Sequence, residues 1–387
     1  METITKLFKN NIRQYGMIIA LIVIMLLFEV LTGGLLLKPI NITNLILQNS
    51  YILVLAIGMV LVIITGHIDL SVGSIAAFVG AFSAIMMVNW QLPTWLAVIA
   101  ALLAGALIGA WQGFWVAYVR IPAFIVTLAG MLLFRGLTMI VLEGQSISPF
   151  PSGFQKISSG FLPDFQFAGV SFVSILIGLV LTVWYILTEL RERRAQRKYG
   201  FDVSSQTIFL LKLIVVGVII NLFMFMLASY AGIPNILVLM FVLIIMYSFV
   251  MNRTVMGRHV YALGGNEKAA SLSGVKTKKV AFWVFVNMGV MAAISGLIFA
   301  ARLNAATPRA GTNFELDAIA ACFIGGASAS GGIGTVFGAI IGGLVMGVLN
   351  NGMSLIGLGI DWQQGIKGLV LLLAVAFDIY NKNKRSA

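Results

Sequence analysis

Residues 95–119 contain no charged side chain, and neither do residues 280–301. About 20 apolar residues cross the hydrocarbon core of a bilayer as a helix. Comparable segments recur at 17–37, 51–65, 74–88, 122–142, 171–188, 208–230, 234–250, 314–328, 335–352 and 363–380. No soluble core could bury so many of them. The chain is 60% hydrophobic and 10% charged, against roughly 45–50% and 25% for an ordinary soluble domain. In lipid each backbone polar group must be satisfied within its own helix. The expected fold is therefore an all-α polytopic membrane protein, a bundle of about 10–12 transmembrane helices in a single transmembrane domain spanning 1–387. The first apolar stretch is too long for a cleaved leader and reads as a retained span.

Several segments are too short for a full crossing. Residues 51–65 and 74–88 flank Gly66-His67-Ile68-Asp69-Leu70-Ser71-Val72-Gly73, and 314–328 and 335–352 flank a second glycine- and serine-rich stretch. Both are expected to be breaks at membrane depth, which irregular backbone tolerates only inside protein or against water. A carboxylate there is costly, so Asp69 should face the bundle interior and meet a partner. Ser71, Gly73, Ser74, Ser328 and Ser330 belong to the same breaks. Arg135 and Asn287 are polar groups within other spans, able to pair structurally or to line a path for a polyol. The patterns Gly334-x-x-x-Gly338-x-x-x-Gly342 and Gly343-x-x-x-Gly347 read first as helix-contact surfaces.

The net charge of +12 would point to nucleic acid in a soluble chain. Here the cations gather in a few loops: Lys6, Lys9 and Arg13, Arg120, the Arg191–Lys198 cluster with Lys212, the stretch Arg253–Lys279, and Lys382, Lys384 and Arg385. That set holds most of the 25 Lys and Arg. A cytoplasmic N-terminus places all of them on one side, in accord with the positive-inside rule, and brings the C-terminus to the same side. The expected contact is with membrane lipid, not nucleic acid. Trp90 and Trp95, around Gln91-Leu92-Pro93, suit the opposite interface. The loop at 251–279 and the basic insert at 189–207 are the expected cytoplasmic features, and neither has the length of an independent domain. Cys322 is the only cysteine, and His67 and His259 lie far apart, so neither a metal site nor a cofactor is expected.

The loop between two long spans reads Arg258-His-Val-Tyr-Ala-Leu-Gly264-Gly265-Asn-Glu267-Lys-Ala269-Ala270-Ser-Leu272-Ser-Gly274-Val275. Apolar positions 269, 272 and 275, with a terminal glycine, describe a short amphipathic helix at the membrane surface. It can be an ordinary interfacial helix or a surface that another protein approaches closely.

The spacing Glu267-x-Ala269-Ala270-x-x-x-Gly274 resembles the Glu-Ala-Ala loop of permeases in ATP-binding-cassette (ABC) importers. Gly66-x-Ile68-Asp69-Leu70-Ser71-Val72-Gly73-Ser74 resembles the signature of the ribose/xylose-type sugar permeases. Ile324-Gly-Gly-Ala-Ser328-x-Ser330-Gly-Gly-x-Gly334-Thr335, then Asn350-Asn351-Gly352 and Trp362-Gln363-x-x-x-Lys367-Gly368, is similar to the end of the same family. In length and at His67 the chain looks most like the multiple-monosaccharide and xylose permeases of that family. The basic insert around 191–206 is longer than in the shorter ribose permeases. The resemblance implies a homodimer of permease copies, a cytoplasmic ATPase subunit docked on the coupling loop, and an extracytoplasmic sugar-binding protein. It also implies a location in the bacterial cytoplasmic membrane. Consistent with a partner ATPase, the chain has no Gly-x-x-x-x-Gly-Lys-Ser/Thr phosphate loop. It also has no nucleophile, base and orienter that would make it an enzyme. The competing class is an ion-coupled secondary transporter, which Asp69 and the discontinuous helices also permit.

Overall fold

A computed structural model describes residues 12–167, 169–201, 203 and 205–386; Lys6 and Lys9 lie outside them. Among the described residues the regular structure is almost all helix. In order, its helices are α1 (Ile12–Leu31), α2 (Pro39–Ile64), α3 (Val72–Ala84), α4 (Thr94–Phe114), α5 (Ala123–Val141), α6 (Ser152–Ser159), α7 (Phe172–Lys198) and α8 (Gln206–Ala228). They continue with α9 (Asn235–Arg253), α10 (Val255–Gly265), α11 (Glu267–Leu272), α12 (Thr277–Leu303), α13 (Phe314–Ile324), α14 (Val336–Leu355) and α15 (Ile360–Ser386). π-Helical turns over Ile85–Asn89 and Trp115–Val119 extend α3 and α4. A two-residue hairpin, Gln166–Phe167 with Val170–Ser171, precedes α7.

Nine helices among the described residues are long and apolar enough to cross a membrane. This is a multi-pass membrane protein. Its interior is α2, α3, α12 and α14. In α2 and α14, 83% of the most apolar window is buried, against 11% in α7, so α7 and α8 turn their apolar side chains outward, where a bilayer would cover them.

The inner helices pack through small residues, since lipid offers no hydrophobic drive for helices to associate and close backbone contact must supply it. Gly105 and Gly109 of α4 meet Gly289 and Phe285 of α12, and Gly296 of α12 faces the Ala76 carbonyl of α3. On α14, Gly338 and Gly342 lie on Gly325 and Ala321, Gly343 meets Leu53, and Gly347 meets Asn49. The expected helix-contact reading of these glycines holds, while Gly334 sits in the break before α14.

Several boundaries differ from expectation, among them the end of α7, which runs to Lys198 and not 188. The segment expected at 51–65 is a 26-residue helix starting at Pro39. Its first half carries Asn41, Asn44, Gln48 and Asn49, which interrupt the apolar run but are accommodated by packing: Asn41 and Asn351 exchange amide hydrogen bonds (2.8 and 3.1 Å), and Asn49 donates to Leu45 O at 2.8 Å. The first span stops at Leu31, short of 37; Gly34 N bonds back to Glu29 O, and the Glu29 carboxylate accepts from Leu37 N at 2.8 Å. At 11 residues α13 is about 16 Å long, well short of a full crossing, as expected of a broken segment.

Candidate coupling and translocation site

Three glycine-rich stretches that are far apart in sequence meet at one end of the bundle. The C-terminal carbonyl of α2, at Ile64, is a helix-end acceptor without an intrahelical partner; Gly332 N, in the break between α13 and α14, donates to it at 2.8 Å. Gly264, at the end of α10, lies against the same carbonyl. A methyl group on Gly264 would collide with Ile64 O and stand 2.7 Å from Gly332 N. Gly331 lies beside Gly66, and the Tyr261 hydroxyl of α10 donates to Gly334 O at 2.8 Å. The first break, the second break and the loop at 251–279 are thus in direct backbone contact.

From this junction α11 projects outward. Asn266 caps it by accepting from Ala269 N at 3.0 Å, in the manner of side-chain N-caps. Gly274, at φ +88°, ends the turn in the left-handed conformation that glycine adopts without penalty. Ala270 is buried, but Arg258, Glu267 and Ala269 are exposed, as is Gly265. Leu272 is 90% exposed. The apolar side chains of this helix do not all pack on the bundle, so Leu272 stands clear of its own chain.

One layer further in, the first break carries the buried Asp69. Its Oδ1 accepts from Ser71 N (2.8 Å) and Ser71 Oγ (2.6 Å), and Gln112 Nε2 of α4 donates to Ser71 Oγ at 2.7 Å. At the start of α3, Gly73 is pressed against the Gly311 carbonyl and Glu315 Oε2. Arg135 of α5 donates to Ala310 O at 2.6 Å, holding the stretch that leads into α13. Ser74 Oγ, Gln112 Oε1 and Glu315 Oε2 are buried with no hydrogen-bond partner among the described residues. In the second break the hydroxyls of Ser328 and Ser330 lie 3.0 Å apart. Asn287 Oδ1 accepts from the Tyr247 hydroxyl across the α9–α12 contact, and its Nδ2 is buried with no hydrogen-bond partner among the described residues.

A cavity of about 440 Å³ opens between the first break, the α4–α5 turn and the start of α12. Its lining includes His67, Arg120, Leu263, Glu267, Thr277 and Lys278.

A family model described as the permease component of the branched-chain amino acid transport system matches residues 41–375. The xylose transport system permease protein of Haemophilus influenzae is 44% identical over 98% of this chain and 99% of its own length. That of Escherichia coli K12 is 40% identical over 97% and 93%. The ribose import permease protein of E. coli K12 is 35% identical over 87% and 85%. The chain belongs to the ribose/xylose-type sugar ABC permease family. No solved structure matches it.

As a sugar permease of this family the chain is a multi-pass protein of the bacterial inner membrane. The surface loop and the pair of breaks, separate in sequence, touch at the glycine junction, whereas Asn287 is bonded elsewhere, to Tyr247. Three polar members of the site were missed. Glu315 and Asp317 fall in the first turn of α13, where they vanish into an apolar average over 314–328; two carboxylates spaced i, i+2 in a short apolar helix were the available signal. Gln112 lies in an otherwise apolar span, and nothing local marks it as the partner of Ser71.

Proposed function

We propose that this chain is the membrane-spanning subunit of an ATP-driven importer of a monosaccharide of the xylose or ribose class. It would work as a homodimer, with a separate cytoplasmic ATPase subunit seated on α11 and an extracytoplasmic binding protein delivering sugar. The distribution of cations supports a cytoplasmic side for α10, α11 and the α4–α5 turn. The observation that carries this reading is Leu272, 90% exposed on a capped helix whose neighbouring layer is the glycine junction. Burying an exposed leucine in a partner's pocket contributes about 2 kcal/mol, and α11 is joined through Gly265 and Asn266 to Gly264, which touches both breaks. Inside, the unpartnered Ser74 Oγ, Gln112 Oε1 and Glu315 Oε2 are the donors and acceptors a polyol needs as the breaks alternate between access to the two sides. An ion-coupled mechanism finds less support, because the relatives of this chain are permeases of ABC sugar import systems.

The test is Glu267→Arg, a charge reversal on the exposed face of α11. Assembly in the membrane survives and sugar-stimulated ATP hydrolysis is abolished. Unchanged coupling would overturn the assignment.

A further inference from the structure

We propose that the cavity beside α11 binds free monosaccharide from the ATPase side, and that sugar held there slows the cycle that delivered it. This rests on the importer reading and adds to it a second binding site and a regulatory consequence. At about 440 Å³ the cavity falls within the roughly 300–1,000 Å³ of small-molecule sites. Its lining mixes chemistries. His67 and Thr277 each donate and accept, Glu267 accepts, and Arg120 and Lys278 donate. No single charge dominates, as it would in a site for a phosphate or a metal dication. The Phe124 ring adds an apolar surface against which the C–H face of a sugar can rest. A neutral ring bearing several hydroxyls matches this combination.

The position of the cavity gives binding a consequence. One wall, with His67, is the first break; His67 is further held against Phe285 of α12, ring centroids 5.9 Å apart. The lining also includes Glu267, on the helix proposed to receive the ATPase. A ligand bonded to both His67 and Glu267 ties α11 to the break in the arrangement seen here, and these are the parts that must move when the ATPase closes. A ligand shifts a conformational equilibrium only by its differential affinity for the two states. One that binds this arrangement alone, at ten times its Kd, stabilises it about elevenfold. Import would then slow as its product accumulates.

The experiment uses the complete complex in proteoliposomes with the ATPase facing outward and xylose-loaded binding protein sealed inside. Xylose is added outside, with glycine betaine of equal osmolarity as control. The expected result is inhibition of ATP hydrolysis that deepens with xylose, about elevenfold at ten times its Kd, with no effect of betaine. Thr277→Val and His67→Phe, each referred to its own rate without added xylose, raise the half-inhibitory concentration about fivefold, the worth of one hydrogen bond exchanged with water. Should either variant fail to assemble, equilibrium binding of radiolabelled xylose to the wild-type complex without binding protein decides instead, with saturable binding expected. Normal ATP-driven transport that is indifferent to xylose on the ATPase side overturns this site and leaves the importer reading intact. Binding to the isolated permease but not to the complex also overturns it, since the cavity would then be filled by the ATPase. Absence of any ATP-driven transport overturns the importer reading, and this inference with it.

Discussion

Gly264 and Gly265 are adjacent, yet their surroundings are opposite. A Cβ on Gly264 would press into the Ile64 carbonyl and the Gly332 amide, both backbone groups that cannot rotate away, whereas one on Gly265 would meet nothing within 4 Å. Overpacking a tight contact costs about 1–3 kcal/mol, and at this point the strain falls on the hydrogen bond from Gly332 N to Ile64 O that joins the two breaks. Gly264→Ala is therefore expected to reach the membrane and bind its ATPase, but to lose about tenfold or more in sugar moved per ATP hydrolysed. Gly265→Ala should stay near wild type. Transport and ATP hydrolysis measured side by side in proteoliposomes check this; equal behaviour of the two variants would remove the junction from the coupling path.

Among elements, α13 is the least self-sufficient. It has 11 residues, too few for an isolated helix to be stable, so tertiary contacts must hold it. One of these is ionic: Lys367 Nζ of α15 lies 3.1 Å from Asp317 Oδ1 and 3.3 Å from Oδ2, with both side chains largely buried. Removing one partner of such a pair leaves an uncompensated charge and costs about 3–5 kcal/mol, whereas replacing both can be nearly neutral. Lys367→Met should accordingly lower the thermal stability of the detergent-solubilised protein, and Lys367→Met with Asp317→Asn should recover most of it; a double variant no better than the single would mean the charges do not pair. Neither side of this contact could be matched from sequence, because 50 residues separate them and periodicity reports only local order. The elements themselves were legible, since uncharged runs near bilayer length have few alternatives. Their ends were less so, as the asparagines of α2 show: polar groups paired between helices look like loop in a hydropathy average. Both breaks could be read because Gly and Ser clusters interrupt apolar runs, but their meeting at Gly264 could not, because backbone-to-backbone contact leaves no signature beyond the presence of glycine.

For the molecule as a whole, the contacts define two ends without saying which faces the cytoplasm. Arg120 at the end of α4, Lys278 at the start of α12 and Glu267 of α11 line one cavity and so share an end. The turn Trp90–Pro93 joins the far ends of α3 and α4 and lies at the other. The positive-inside rule predicts that the first end is cytoplasmic, since it carries Arg120, Arg258, Lys268 and Lys276–Lys279 while the turn at 90–93 carries no cation. Cysteine labelling tests this without altering the native thiol, because Cys322 is fully buried, with Sγ directed at Ala56 O, and a buried apolar thiol is inert. With a membrane-impermeant maleimide, Leu272→Cys is expected to label in inside-out vesicles and not in right-side-out ones, and Gln91→Cys the reverse. Adding the ATPase subunit to the inside-out vesicles should then protect position 272 while a cysteine at Arg258, exposed on α10, loses less of its reactivity. Labelling of Leu272→Cys from the outer face would invert the whole arrangement, and α11 could no longer be the surface on which ATP hydrolysis acts.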